Sequence, residues 1–81
     1  MSYDVKWNKK ARKAMNKLDK AVRGRIWHAV DKLKNETAPM KKMVREGDEF
    51  CARAGDYRII FEIHGEKIII QEVGHRSEIY K

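Results

Sequence analysis

The stretch AGDYRIIFEIHGEKIIIQEVGHRSEIYK, residues 54–81, contains two apolar runs separated by a short polar segment. The first run, Tyr57–Ile63, has apolar residues at every second position, which is the period of a half-buried strand. The second run, Lys67–Val73, is rich in β-branched residues and predicts another strand. Between them, His64-Gly65-Glu66 predicts a tight turn in which Gly65 adopts a positive φ. The stretch therefore predicts an antiparallel hairpin.

Upstream of this hairpin the pattern changes to a helical period. Apolar residues alternate over Tyr3–Trp7, which predicts a short first strand. Apolar stripes then predict one helix from Lys9 to about Lys17 and a longer helix that begins after Asp19, a residue suited to capping it. The second helix is expected to end near Asn35, because Pro39 prevents its continuation.

The order of the elements predicts an α+β fold. Glu49–Ala54 is expected to form a strand before the hairpin, so three antiparallel strands follow the two helices. We predict two N-terminal helices packed on one face of a twisted, mainly antiparallel four-stranded sheet. Ile79 and Tyr80 are expected to form a final short extended piece, and Thr37–Asp48 a mobile connection.

Length and composition restrict the possible classes of protein. The chain has 81 residues, so we expect residues 1–81 to form one compact domain with a small core. The single cysteine, Cys51, has no disulfide partner, and no apolar run is long enough for a secretory signal or a membrane span. We therefore expect a cytoplasmic protein without a membrane partner. The three histidines are too scattered in sequence to suggest a metal site, and neither a metal nor a cofactor is expected.

The positive charge is concentrated in the N-terminal part of the chain. The net charge is +7, and residues 1–55 carry 15 basic against 7 acidic residues. Such an excess favours a polyanionic partner, most commonly a nucleic acid, because each neutralised phosphate releases counterions. The alternative is a basic surface that serves solubility alone.

Three arginines are predicted to converge beside the hairpin. Arg58 alternates with the apolar residues of its strand, so it should point to the sheet face that the helices leave open. Arg53 lies on the preceding strand and Arg76 follows the last one. A guanidinium group matches phosphate oxygens two at a time, so the cluster predicts an anion site. The alternative is that Arg58 forms an ion pair with Glu62 or Glu72 across the sheet.

Two motifs identify a family. GDYRIIFEI, residues 55–63, together with VGHRSEIY, residues 73–80, resembles the RelE/ParE superfamily of bacterial and archaeal toxins, close to its RelE branch. The chain length, the basic helices and the strand order extend the resemblance over nearly the whole chain. The resemblance implies a ribosome-dependent, metal-independent messenger-RNA endonuclease that inhibits translation and is neutralised by an antitoxin. The 2′-hydroxyl of a nucleotide in the ribosomal A site would attack the adjacent 3′ phosphate.

The resemblance assigns roles to individual residues. Arg58 is expected to stabilise the pentavalent phosphate and Arg76 to lie near the leaving oxygen. Tyr80 is expected to stack on a base or to assist the 2′-hydroxyl, and Arg53 is the basic residue one strand earlier. Ribosomal RNA would be held by lysines of the first helix and by cations of the connection: Lys9, Lys10, Lys13, Lys17, Lys41, Lys42 and Arg45.

The sequence departs from the family pattern at Cys51. Many relatives carry Lys or Arg there, and losing a cation next to the scissile phosphate would weaken the stabilisation of the transition state. His75 is a candidate to compensate, because imidazole transfers protons near neutral pH. The general base stays open between Tyr80, His75 and Glu78.

Two other functions fit the same sequence. A ParE-like toxin would inhibit DNA gyrase without cutting RNA, and a small RNA-binding module would contact phosphates without catalysis. The resemblance to the RelE/ParE superfamily also implies that an antitoxin segment, an amphipathic helix, lies in apolar and basic grooves of the surface and blocks entry to the ribosome. The two tryptophans, Trp7 and Trp27, are interpreted as core or helix-packing residues rather than as stacking platforms for bases.

Overall fold

The computed structural model describes residues 3–35, 41–42 and 49–79, with only the backbone described for 41–42. In chain order the elements are β1 (Asp4–Trp7), α1 (Lys9–Asn16), α2 (Lys20–Lys34), β2 (Lys41–Lys42), β3 (Glu49–Ala54), β4 (Tyr57–His64), β5 (Lys67–His75) and α3 (Arg76–Ile79). The predicted α+β architecture is confirmed, and the bounds of the four predicted strands are correct to within two residues. Of the predicted mobile connection Thr37–Asp48, residues 41–42 form β2 and the remainder lies outside the described residues.

The strands form one mixed sheet in the order β1-β5-β4-β3-β2. β1 runs parallel to β5, and the other pairs are antiparallel. Two-residue turns join β3 to β4 and β4 to β5, and Gly55 and Gly65 each have a φ of 63° there. The short edge strand β2 was not predicted, because a two-residue strand has no periodicity to detect.

Side-chain caps fix where the two long helices begin. The Oδ1 atom of Asn8 accepts a hydrogen bond from the Ala11 N–H at 2.8 Å, and the Oδ1 atom of Asp19 accepts one from the Val22 N–H at 2.9 Å. These bonds satisfy backbone donors that have no partner within the first turn of a helix. The Nδ2 atom of Asn8 also donates to Gln71 Oε1 at 2.9 Å, which ties the start of α1 to β5.

The main core lies between the two long helices and one face of the sheet. Both predicted apolar stripes pack against this core, and Phe61 in the centre of β4 is fully buried. Burying a side chain of this size contributes ~1.5–3 kcal/mol. The core residues are Ala11, Met15, Ile26, Val30, Leu33, Ala52, Ala54, Ile59, Phe61, Ile68, Ile70 and Val73.

The second face of the sheet is partly covered, contrary to the expectation of an open face. Ile79 was predicted to lie in an extended piece, but it ends the helical turn α3 and packs with Cys51 and Ile60 in a small apolar cluster. The chain can fold back in this way because β5 ends at His75, directly before α3. Among the described residues, no helix is long and apolar enough to cross a membrane.

Candidate active site

Arg53 and Arg58 are direct cross-strand partners in the β3–β4 hairpin. Opposed residues of an antiparallel pair project from the same face, and this face is opposite the one that α1 and α2 cover, because the neighbouring pair Ala52 and Ile59 belongs to the main core. The sequence prediction that these two arginines lie together is therefore confirmed. Like charges directly opposite each other are unfavourable, so an anion bound between them would relieve their repulsion.

Arg58 lies on the predicted face but is buried rather than open. Only 6% of the residue is exposed, and its Nη1 atom donates hydrogen bonds to the carbonyl oxygens of Gly55 at 2.8 Å and Tyr57 at 3.0 Å. The expectation of an open cation is thus wrong for Arg58. The hydrogen bonds to the turn hold this guanidinium in one position. Arg53 is exposed and supplies the solvent-facing charge of the pair.

Arg76 begins α3 and is exposed. Its backbone N–H donates to the carbonyl oxygen of Asp56 at 2.8 Å, so the start of α3 is tied to the turn between β3 and β4. Arg53 and Arg58 flank the same turn. The structure therefore brings the starting points of all three arginines to one end of the sheet, and we call Arg53, Arg58 and Arg76 the arginine cluster.

His75 faces the helical side of the sheet at the end of β5. It is the register partner of Tyr57, whose ring it meets edge to face with centroids 5.4 Å apart. Its Nδ1 atom accepts a hydrogen bond from the Ser77 backbone N–H at 3.1 Å and lies 2.9 Å from Ser77 Oγ. Because a backbone N–H can only donate, Nδ1 must carry a lone pair, and the neutral ring holds its proton on Nε2. His75 thus caps α3, the element that begins with Arg76.

Cys51 is the register partner of Ile60 and is buried in the small apolar cluster with Ile60 and Ile79. An apolar contact therefore occupies the position where the resemblance led us to expect a cation. The arginine cluster receives no charge from this position. Cys51 is thus a small buried residue of β3.

The predicted RNA-binding lysines belong to the helical layer. Lys9, Lys10, Lys13 and Lys17 are all exposed on α1 or at its C-terminal cap. Lys10 Nζ lies 3.1 Å from Glu72 Oε1, an ion pair between an exposed lysine and a partly buried glutamate at the surface, where such pairs contribute little energy. Lys41 and Lys42 form β2, and only their backbone is described. Arg45 and Tyr80, two further predicted residues, lie outside the described residues. Glu78 is exposed on α3.

A concave site on the helical side was not predicted from the sequence. Trp27 was interpreted as a packing residue, but it is 54% exposed. With its neighbours it lines a cavity of about 340 Å³, which we call the Trp notch. The four-residue spacing of Arg23 and Trp27 on α2 was the available sign that both side chains share a face. The notch is lined by Trp7, Arg12, Met15, Asn16, Arg23 and Trp27.

Comparison with known families gives one match over most of the chain. The family described as the ParE toxin of the type II toxin–antitoxin system parDE matches residues 5–80. Comparison with curated protein sequences finds no significant match.

Solved structures with the same fold include three toxins determined with their antitoxins. The RelE–RelB complex of Pyrococcus horikoshii has a chain 32% identical to this one, covering 94% of this chain and 97% of that chain, with a TM-score of 0.74. The RelB–RelE complex of Methanococcus jannaschii gives 26% identity, 93% and 94% coverage, and a TM-score of 0.76. The RelBE2 complex of Mycobacterium tuberculosis gives 27% identity, 95% and 94% coverage, and a TM-score of 0.81.

Proposed function

This chain belongs to the ParE toxin family of type II toxin–antitoxin systems, and on that premise we propose that it stops translation by cutting messenger RNA on the ribosome. Its fold is RelE-like. The related RelE structures contain their antitoxins, which supports a cognate antitoxin as partner. The proposed substrate is the messenger RNA in the ribosomal A site, so the toxin would act in the cytoplasm.

The proposed reaction is a transesterification within the RNA strand. The 2′-oxygen of one nucleotide forms a bond to the adjacent phosphorus, and the bond from phosphorus to the 5′-oxygen of the next nucleotide breaks. The 2′-hydroxyl gives its proton to a base, and the leaving 5′-oxygen gains a proton. The products are a 2′,3′-cyclic phosphate and a 5′-hydroxyl. In this proposal guanidinium groups, and not a metal ion, stabilise the charge that develops on the phosphate oxygens.

The observation that carries the proposal is the direct pairing of Arg53 with Arg58 beside the start of α3. Two opposed cations repel, and a phosphate between them would convert that repulsion into attraction. We assign the exposed Arg53 to contact the phosphate from the solvent side and Arg58 to hold the pentavalent phosphate. Arg76 would stabilise the leaving oxygen.

Three residues near the arginine cluster in sequence are proposed as the general base that accepts the proton of the 2′-hydroxyl. They are Tyr80, His75 and Glu78. The hydrogen bond from the Ser77 N–H to His75 Nδ1 occupies the nitrogen that would otherwise accept a proton. This contact favours a positioning role for His75, which would hold α3 and Arg76 in place.

The lysines of the helical layer would bind ribosomal RNA. Lys9, Lys13 and Lys17 are exposed cations on or next to α1, and no acidic residue lies in the first turn of that helix. Each phosphate contact releases counterions, so ribosome binding should weaken steeply as the salt concentration rises. We propose the same role for Lys10 and for the cations of the connection, Lys41, Lys42 and Arg45.

A second candidate is a ParE-like inhibitor of DNA gyrase that cuts no RNA. The observation that favours it is the burial of Arg58, whose Nη1 atom already donates hydrogen bonds to the carbonyl oxygens of Gly55 and Tyr57. An inhibitor that acts by binding alone needs no accessible guanidinium at this position.

The two candidates are separated by mapping transcripts after induction of the chain. For an endonuclease, primer extension should show cuts at fixed codon positions, and these cuts should disappear in Arg53→Ala and Arg76→Ala. Both variants alter exposed side chains, so their folds should persist. Arg12→Ala removes an exposed arginine from the helical side and serves as the control that keeps cutting. Intact transcripts together with inhibited supercoiling by gyrase would establish the second candidate.

A further inference from the structure

The Trp notch concentrates both tryptophans of the chain at one surface site. Trp7 ends β1 and Trp27 lies on α2, and their ring centroids are 5.0 Å apart with a tilt of 53°. Met15 adds an apolar wall from α1. Leaving more than half of a tryptophan in water is unfavourable, because burying such a ring removes a large apolar area from solvent. The notch is therefore suited to binding an apolar group.

The charged residues of the notch are all positive. Arg12 reaches it from α1 and Arg23 from α2, and no acidic side chain lines it among the residues that the structure describes. Within those same residues, neither guanidinium has a hydrogen bond or an ion pair. Two arginines without a partner among the described residues, beside an apolar cavity, would pair with carboxylates that flank a bulky apolar side chain.

We propose that the Trp notch is an anchor site for the antitoxin, binding a bulky apolar side chain from an acidic segment of that partner. This inference rests on the proposed function, in that it takes the partner to be a neutralising antitoxin. A cavity of about 340 Å³ accommodates one large side chain. Carboxylates beside that side chain would bind Arg12 and Arg23.

The composition and shape of the notch favour a protein over an RNA base. Tryptophan, arginine and methionine are enriched at the centres of protein interfaces, where a few residues supply most of the binding energy. The planes of the two indole rings are tilted by 53°, so the rings are not parallel and cannot sandwich a base between them.

The position of the notch separates antitoxin anchoring from RNA chemistry. The notch is formed by α1, α2 and the end of β1 on the helical side, whereas Arg53 and Arg58 lie on the opposite face of the sheet. An antitoxin side chain in the notch would therefore not touch the arginine pair. Variants of the notch should lose inhibition by the antitoxin while they keep the activity of the toxin.

The test uses fluorine labels that report on the notch alone. The chain contains 2 tryptophans, both of which line the notch, so incorporation of 5-fluorotryptophan gives ¹⁹F resonances from this site only. We expect separately purified cognate antitoxin to shift both resonances in a saturable manner. A single-stranded RNA oligonucleotide should leave them unchanged. If the RNA shifts them and the antitoxin does not, the proposal is overturned in favour of a nucleotide site.

The second test of the anchor site measures the affinity of toxin variants for the antitoxin. Trp27→Ala and Arg23→Glu should each weaken antitoxin binding at least about tenfold, or ~1.4 kcal/mol. Arg25→Glu makes the same charge change on α2, and its Nη1 atom lies toward Gly55 rather than in the notch, so binding should persist. Thermal melts should show that all three variants are folded. Unchanged affinity in Trp27→Ala and Arg23→Glu would overturn the proposal.

Activity assays keep this inference distinct from the proposed endonuclease. In cells that co-express the antitoxin, Trp27→Ala should cut transcripts as the wild-type chain does without antitoxin. If the wild-type chain cuts no RNA but still binds antitoxin through the notch, the endonuclease proposal fails and the anchor site stands. If the chain cuts RNA and the antitoxin binds without changing the ¹⁹F resonances, the anchor site fails and the endonuclease stands.

Discussion

A Cβ atom added to Gly74 would stand 3.3 Å from Ile79 Cδ1 and 3.5 Å from its Cγ1. The C-terminal turn α3 therefore packs directly on the backbone of β5. Because Gly74 is the register partner of Arg58, this close approach brings the turn over the sheet face that carries the arginine pair. The glycine of the VGHRSEIY motif is thus explained by packing: a side chain there would push Ile79 away.

Gly74→Val should destabilise the protein and displace α3. Two methyl groups beyond the Cβ cannot fit under Ile79, and such overpacking typically costs ~1–3 kcal/mol. Urea unfolding should show a lower free energy of unfolding, and cutting activity should fall because Arg76 moves with α3.

Gly24→Ala is the matched control for Gly74→Val, because a Cβ at Gly24 meets nothing within 4 Å. In the interior of α2 it should raise stability by ~0.5–1 kcal/mol. Equal stability of Gly74→Val and the wild type would contradict the close packing.

Ile79→Ala should expose the thiol of Cys51. The two residues pack together with Ile60, and Cys51 is the only cysteine, so a thiol reagent reports on this cluster alone. We expect slow labelling in the native wild type and fast labelling in Ile79→Ala, with a loss of about 2 kcal/mol in stability. Val73→Ala, which truncates the main core on the other side of the sheet, is the control. Equally slow labelling in Ile79→Ala and Val73→Ala would show that Ile79 does not cover the thiol.

The sequence predicted the local features of the fold and not the contacts between distant segments. Period-two alternation was enough to place Arg53 and Arg58 near each other on neighbouring strands, whereas their direct pairing is seen only in the structure, where the two-residue Gly55-Asp56 turn fixes the register. Alternation assigns a side chain to a face but does not say what covers that face. The burial of Arg58 depends on the fold beyond its own strand, and a four-residue helix such as α3 is too short to show a period.

The same limit explains why the Trp notch was missed. Trp27 shares α2 with the buried Ile26 and Val30, so its apolar character was taken as a sign of packing. Whether a residue at the border of an apolar stripe is covered depends on what the neighbouring elements provide. Here α1 provides the apolar Met15 together with Arg12 and Asn16, which leaves the cover of Trp27 incomplete.

Removing Arg53 and removing Arg58 should have different effects on the free energy of unfolding. Arg53 is exposed and faces a like charge, so Arg53→Ala should change the free energy of unfolding by less than about 0.5 kcal/mol or raise it slightly. Arg58→Ala removes the donor to the carbonyl oxygens of Gly55 and Tyr57, which should cost ~1–3 kcal/mol.

Urea titrations at low and high salt measure both changes in the free energy of unfolding, and salt screening should diminish any gain in stability in Arg53→Ala. A large destabilisation by Arg53→Ala would show that its charge is satisfied in the free protein. Arg53→Ala is also the cleaner probe of catalysis, since its loss of activity does not follow from unfolding.

His75 should act on the reaction by holding α3 rather than by transferring a proton. His75→Ala removes the acceptor for the Ser77 N–H, and loss of a cap typically costs ~0.5–2 kcal/mol. His75→Asn keeps an acceptor within reach of that N–H but has no group that transfers protons near neutral pH. We therefore expect cutting to fall in His75→Ala and to return to near the wild-type rate in His75→Asn. Primer extension, with thermal melts in parallel, measures both quantities.

The alternative role for His75 predicts a different pattern in the same two variants. Loss of a general acid or base typically slows a reaction ~10²–10⁴-fold whatever the state of the fold. If His75→Asn is as stable as the wild type yet loses activity to that extent, the imidazole transfers a proton and the positioning role is wrong. Ser77→Ala is the control, because it keeps the backbone N–H and removes only the hydroxyl group next to Nδ1. It should retain both its stability and its activity, since the backbone N–H is the donor that α3 needs satisfied.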